Sequence, residues 1–136
     1  MDREELKRKM KQFALRVMPL VDALPRTAKG RAVAGQLVRS GTSVAANYRA
    51  ACRARSRAEF IAKIGLAEEE ADETALWLQL IIEDALLPAN KVQPLLQEAD
   101  ELTAIFAATY ISAQRNTRRN GASKSAIRDQ QSEIQP

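Results

Sequence analysis

A chain of 136 residues is long enough for one domain with a real core but not for two. Its residues are 46% hydrophobic and only 4% aromatic, a composition that favours closely packed helices. The single cysteine, Cys52, excludes an internal disulfide and leads us to expect a reducing cytoplasm. The N-terminus lacks the apolar segment of a secretory signal, and no apolar run reaches the roughly 20 residues that span a bilayer.

Charge is unevenly distributed along the chain, although the net charge of +4 is modest. Residues 26–63 contain nine Lys or Arg and one acid, whereas residues 64–105 contain one Lys or Arg and ten acids. These two segments could pair within one subunit, pair between subunits, or leave a basic face open to polyanions. The sequence therefore predicts an interaction protein, with the kind of partner left open.

The first two predicted helices are bounded by prolines and a capping residue. Apolar side chains at helical spacing predict a first helix over residues 3–24, which contains Pro19 and is ended by Pro25. Thr27 is a suitable N-cap for a second helix that runs to about Arg53. Both helices have one apolar stripe, which predicts packing in a bundle.

Four residues with poor helix propensity stand in the middle of the second helix, at positions 40–43. Ser and Thr compete for backbone hydrogen bonds and Gly adds backbone entropy, so we expect an irregularity or a close approach of another backbone. Gly41 and Ser43 are therefore predicted to allow close helix packing. Asn47 is predicted to be buried and to fix the register between helices.

The third predicted helix is apolar on more than one side. It opens with a capping box at residues 56–59 and stops near Leu87, before Pro88. A bundle needs one buried stripe, and a wider apolar surface indicates a second contact surface. We therefore expect self-association, with Leu76, Trp77 and Leu80 at the oligomer interface.

The fourth predicted helix begins near Asn90, with Pro94 in its first turn, and loses its apolar pattern after Gln114. The sequence thus predicts an all-α, antiparallel up-down four-helix bundle over residues 1–115. Residues 116–136 are rich in polar and basic side chains and are predicted to form a disordered tail.

Several separated blocks carry a family resemblance: residues 39–44 (RSGTSV), 46–49 (ANYR), 55–61 (RSRAEFI) and 67–74 (AEEEADET). In this order they resemble the four helix bundle protein family, also called the 23S rRNA intervening-sequence proteins, to which the accessory proteins of diversity-generating retroelements belong. The resemblance implies a bacterial four-helix subunit, often a homopentamer, with no established catalytic residues. It also implies RNA or cDNA and a reverse transcriptase as conceivable partners.

Catalytic and metal-binding patterns are missing from the sequence. Di-metal sites in helical bundles use Glu-x-x-His motifs, and this chain has no histidine. Glu69 and Glu73 lie one turn apart but have no visible partner ligands. Cys52 and the serines lack a histidine base, and no glycine-rich phosphate loop precedes a helix. We therefore expect no enzyme activity, no cofactor and no metal.

A basic cluster around the second helix and the following loop is the candidate nucleic-acid-binding site, made of Arg39, Arg49, Arg53, Arg55, Arg57 and Lys63. If the second helix persisted through the turn, Arg49, Arg53 and Arg57 would share one face. Lys and Arg that neutralise phosphates supply most non-specific affinity, and with Tyr48 as the only nearby aromatic, backbone contact is favoured over stacking. The tail arginines 115, 118 and 119 could extend this surface.

The leading hypothesis is a non-enzymatic, oligomeric nucleic-acid-binding or scaffolding accessory protein. The alternative is a structural protein–protein adaptor whose arginines form salt bridges with the acidic third helix.

Overall fold

A computed structural model describes the backbone of residues 1–134 and the side chains of residues 1–119. It contains four helices: α1 (Arg3–Ala23), α2 (Ala28–Cys52), α3 (Arg57–Glu83) and α4 (Ala89–Ile134). Residues 1–134 include no strand, and the predicted all-α four-helix fold is confirmed. No helix in this part of the chain combines the length and apolar character needed to cross a membrane.

Helix boundaries follow from side-chain caps. Asp2, Thr27 and Ser56 have extended backbone conformations. The side-chain oxygen of each accepts a hydrogen bond from the backbone N–H of the residue three positions later, which stabilises the starts of α1, α2 and α3. α3 ends at Glu83, four residues earlier than predicted. Just beyond it, Ala85 adopts a left-handed backbone conformation (φ 53°), which turns the chain away from the helix axis.

Helices that follow one another in sequence pack together. α2 contacts both α1 and α3, and α3 contacts α4, whereas α1 and α4 touch at few points. The core along these contacts has large, fully buried side chains from all four helices, including Phe13, Leu37, Leu78 and Phe106. Short connections force neighbouring helices to run antiparallel, so one end of the bundle carries the α1 N-terminus and the α2–α3 loop.

The predicted irregularity at residues 40–43 is wrong, because α2 is helical throughout this segment. Thr42 donates its hydroxyl to the Val38 carbonyl at 2.7 Å, so its polar group is satisfied inside the helix. Gly41 is buried against α1, and a Cβ added to it would lie 3.1 Å from Val17 Cγ2. Tertiary packing on α1 and α3 therefore outweighs the poor helix propensity of the segment.

The last helix extends well past the core. Ala113 is the last residue of α4 that is buried among the described side chains, yet the backbone remains helical to Ile134. Helix propagation needs only local hydrogen bonds once a packed segment has nucleated it. The predicted division into a bundle (1–115) and a disordered tail (116–136) stays a prediction, and the side chains of residues 120–134 and all of residues 135–136 lie outside the described residues.

Candidate nucleic-acid interface

A groove of about 830 Å³ lies where the last turns of α2 meet the first turns of α3. Alanines of α2 form part of its lining, and their small side chains leave space between the long basic side chains around them. We call this the basic groove, and its residues are Ala45, Ala46, Arg49, Ala50, Arg53, Arg55, Glu59 and Lys63. It brings together four of the six predicted nucleic-acid-binding residues, which come from α2, the loop and α3.

A second cavity of about 320 Å³ adjoins the basic groove and adds cations from α1. It shares Ala45, Arg49 and Arg53 with the groove, and α1 supplies Glu4, Lys7, Arg8 and Lys11. The α1 residues were missed from the sequence because they are far from Arg49 along the chain. Lys7 and Lys11 are spaced one helical turn apart and away from the apolar stripe, which is the signal that could have indicated them.

Cations in the basic groove form no ion pair with carboxylates among the described side chains. Among residues 1–119, the ion pairs do not include Arg49, Arg53, Arg55 or Lys63. Glu59, the acid in the groove, accepts a hydrogen bond at 3.0 Å from the backbone N–H of Arg55. The groove therefore holds four cations and one carboxylate, and this excess of positive charge produces a positive potential that attracts a polyanion.

Arg39 lies outside the basic groove, in an ion-pair cluster with α3. Its Nη1 is 3.1 Å from Glu70 Oε2 and its Nη2 is 2.5 Å from Glu73 Oε1. The hydrogen bond with Glu73 raises the pKa of Arg39, and the same bond lowers the pKa of Glu73, helped by a hydrogen bond from Trp77 Nε1. Arg39 thus forms salt bridges with the acidic third helix, as the adaptor hypothesis expects of the arginines. It is therefore not part of the candidate interface.

Arg57 is also separated from the basic groove. α2 ends at Cys52 and the chain turns before α3 begins at Arg57, so the helical face expected for Arg49, Arg53 and Arg57 does not form. Arg57 instead lines a cavity of about 280 Å³ at the end of the bundle, together with Arg3, Cys52 and Phe60. We call this the end cavity.

Tyr48 cannot act as a stacking platform for bases. It is buried, with a ring centroid 5.9 Å from that of Phe106 in the core. Burial raises the pKa of Tyr48, and a hydrogen bond with Cys52 adds to the shift. With this ring inside the core, contacts in the basic groove are restricted to charges and hydrogen bonds.

Asn47 has other surroundings than expected for a residue that fixes the register between helices. Asn47 is only half-buried, and its Nδ2 donates to the Ser43 carbonyl at 2.9 Å within α2. A buried polar contact between helices is found instead at Ser40 and Thr74, whose hydroxyl oxygens lie 2.9 Å apart. Sequence reasoning missed this pair because nothing in the sequence pattern links a serine on α2 to a threonine on α3.

The predicted oligomer residues lie on the outer side of α3. Leu76 is 48% exposed and Leu80 is 39% exposed, while Trp77 is half-buried and directs its indole N–H toward Glu73. Leu66, on the same helix, is 42% exposed. No cluster of three or more potential metal-ligating side chains occurs in the part of the chain whose side chains are described.

Comparisons with known proteins agree with this fold. The family model described as "23S rRNA-intervening sequence protein" matches residues 3–108. A crystal structure of a protein of unknown function from the S23 ribosomal protein family of Bacteroides thetaiotaomicron VPI-5482 superposes with a TM-score of 0.74. It is 33% identical in sequence, and the alignment covers 81% of this chain and 98% of that one. None of the curated proteins matches the chain.

Proposed function

Since this chain belongs to the 23S rRNA-intervening sequence protein family, we propose that it is a non-enzymatic, oligomeric accessory protein that binds nucleic acid through the basic groove. The observation that carries this proposal is the groove itself, where Arg49, Arg53, Arg55 and Lys63 converge without a carboxylate partner among the described side chains. The chemistry of the groove fits phosphates, because it offers several guanidinium groups and no exposed aromatic ring.

Binding by this groove depends on the sugar–phosphate backbone rather than on base edges. Cations that neutralise phosphates release condensed counterions, so affinity is strongly salt-dependent and nearly independent of sequence. RNA and DNA both offer this backbone. The resemblance to retroelement accessory proteins suggests a reverse transcriptase as the partner, for which this protein would hold the nucleic-acid strand.

Self-association increases the strength of such a groove. A ring of subunits presents several copies of a weak site to one strand, which raises the overall affinity by effective concentration. The exposed Leu76 and Leu80 support an oligomer, and the family resemblance favours a pentamer. Light scattering is expected to give a mass several times 15.1 kDa, and the variant Leu76→Lys/Leu80→Lys is expected to give a smaller species.

A protein–protein adaptor is the second candidate, and the ion pairs favour it. Arg39 already pairs with Glu70 and Glu73, and Lys29 pairs with Asp84 at 2.7 Å. If the basic groove of one subunit paired in the same way with the acids of another, its arginines would serve assembly instead of nucleic-acid binding. The two functions differ in what charge reversal does to the mass of the assembly.

The test is a charge reversal in the basic groove. Arg49→Glu/Arg53→Glu is compared with Arg26→Glu/Arg31→Glu, a control that reverses two exposed arginines at the opposite end of α2. Binding of labelled RNA and DNA strands at roughly 50 mM and 200 mM salt is measured by fluorescence anisotropy. We expect the groove variant to lose at least about tenfold in affinity for every sequence, and the control to retain most of it.

Two results would overturn the proposal. One is a wild-type protein that retains no RNA or DNA at roughly 50 mM salt, where phosphate contacts are strongest. The other is a groove variant whose mass falls to that of a subunit while the control remains assembled, since the arginines would then hold subunits together. Circular dichroism of each variant verifies that the bundle is folded.

A further inference from the structure

The basic residues continue from the groove around the end of the bundle to α4. The position of α4 along α3 follows from the contact between Gly65 and Tyr110. A Cβ added to Gly65 of α3 would lie 3.3 Å from Tyr110 Cε2 of α4, so these two residues lie at the same level. α3 and α4 run antiparallel with the same rise of about 1.5 Å per residue. Counting from this contact places Arg118 level with Arg57 at the first turn of α3.

The α4 side chains at this level are basic and exposed. Arg115, Arg118 and Arg119 are all exposed, and they follow Ala113, the last buried residue described in the helix. Phe106 and Ala113 face the core, and at about 100° per residue Arg115 is turned roughly 180° away from Phe106. These arginines therefore lie on the outer side of α4, away from α2 and the basic groove.

The end cavity lies between the two basic surfaces. Arg3 and Arg57 line it. It adjoins the basic groove through the α2–α3 loop, and Arg57 is level with Arg118 of α4 by the count from Gly65 and Tyr110. The guanidinium of Arg3 is 5.3 Å from the centroid of the Phe60 ring, which holds this cation against the end of α3. The acids of this end are partly engaged: Asp2 caps α1, and Glu4 pairs with Lys7 at 3.0 Å.

We infer that the site takes a single-stranded RNA or DNA that runs from the basic groove over the end cavity to the arginines of α4. This inference rests on the proposed nucleic-acid function and adds the strand form and the path of the ligand. A path that turns from one side of a bundle to the other requires a sharp bend. Duplex DNA has a persistence length of about 150 base pairs and resists such a bend, whereas a single strand follows it.

This path predicts that the length of the strand determines which arginines contribute to its binding affinity. A strand of roughly 6 nucleotides fills the basic groove alone, and one of roughly 24 nucleotides also reaches α4. The variant Arg115→Gln/Arg118→Gln is therefore expected to bind the short strand like the wild type. For the long strand we expect at least about a fivefold loss and a salt slope that is shallower by about 1.4, since two contacts at about 0.7 each are removed.

The experiment measures wild type, the α4 variant and Arg115→Lys/Arg118→Lys against both lengths and against a 24-base-pair duplex. The lysine variant keeps the charges and is expected to bind like the wild type, which separates charge from helix packing. The inference is overturned if the α4 variant binds the long strand as tightly as the wild type, if it weakens both lengths equally, or if the duplex shows the same dependence on α4. Loss of all wild-type binding would instead remove the proposed function itself.

Discussion

Two sets of arginines on α2 differ in what surrounds them. Arg39 lies beside the acidic middle of α3 and forms ion pairs with Glu70 and Glu73. Arg49, about three turns further along the same helix, and Arg53, at the C-cap of α2, line the basic groove without such a partner among the described side chains. Arg39 and Arg49 have the same side chain and lie on the same helix, so their difference comes from the level of α3 that each one meets.

From this difference we expect that pairing with carboxylates, and not the number of arginines, decides which surface is open to a polyanion. An exposed ion pair contributes little to stability, but it places a carboxylate where a phosphate would otherwise bind. Toward the end of the bundle α3 presents Lys63, and its Glu59 is hydrogen-bonded to the backbone of Arg55.

The largest effect is expected at Gly41, between the two sets. A valine there would place a branched side chain against Val17, from which even a single added carbon is only 3.1 Å away. Overpacking of this kind costs about 1–3 kcal/mol in the free energy of unfolding. In urea denaturation Gly41→Val is expected to be clearly less stable than the wild type.

Gly35 gives the matched control in the same helix. A Cβ added there meets no atom within 4 Å, so Gly35→Ala is expected to stabilise α2 by about 0.5–1 kcal/mol. If both glycine variants were stabilised, Gly41 would not be in close contact with α1 between the two arginine sets.

The next effect concerns binding by single arginines. Replacing Arg49 with Gln removes an unpaired cation of the groove, so the salt slope for a single strand is expected to fall by about 0.7. Replacing Arg39 with Gln is expected to leave the slope unchanged, because that cation already faces two carboxylates. Equal changes in the two variants would show that pairing does not determine access, and anisotropy titrations over a salt series make the comparison.

Charge reversal should affect stability in opposite directions at the two sets. Arg39→Glu removes two ion pairs and adds a third carboxylate beside Glu70 and Glu73, so we expect a lower urea midpoint. Arg49→Glu relieves repulsion among like charges and is expected to leave the midpoint unchanged or slightly higher. A lower midpoint for Arg49→Glu of the same size would indicate a carboxylate partner in the groove.

The smallest effect is a pH dependence at Glu73. Its hydrogen bond with Arg39 holds its pKa below the usual value of 4.5, so the folded state binds this proton less readily than the unfolded chain. The resulting stabilisation is present above pH 4.5 and is lost as the pH falls through the lowered pKa. Glu73→Gln should be less stable than the wild type at pH 7, with the difference shrinking in acid.

Much of the fold could be predicted because its signals are local. Thr27 and Ser56 mark the starts of α2 and α3, and Pro25 marks the end of α1, since caps and proline act within one turn of chain. The irregularity expected at residues 40–43 was wrong because buried packing against Val17 and the Thr74 hydroxyl comes from other helices. Propensity alone contains none of these contacts.

The site was harder to predict than the fold. Arg49, Arg53 and Arg55 are close in sequence and line one groove, but Arg57 lies beyond a turn whose geometry the sequence does not specify. In the sequence Arg39 cannot be distinguished from the other arginines, because its ion-pair partners Glu70 and Glu73 are on another helix. The cations of α1 join the groove through tertiary packing, so they could not be assigned from one sequence without knowing which helices are neighbours.

The sparse contact between α1 and α4 has a consequence for local unfolding. Among the described ion pairs, Arg16 and Glu98 connect these two helices, and α1 packs mainly against α2. A helix with fewer tertiary contacts opens at a lower free energy than the rest of a domain, and its amide hydrogens exchange sooner. Because Arg8 and Lys11 are on α1, a polyanion held by α1 and α2 together would slow amide exchange throughout α1.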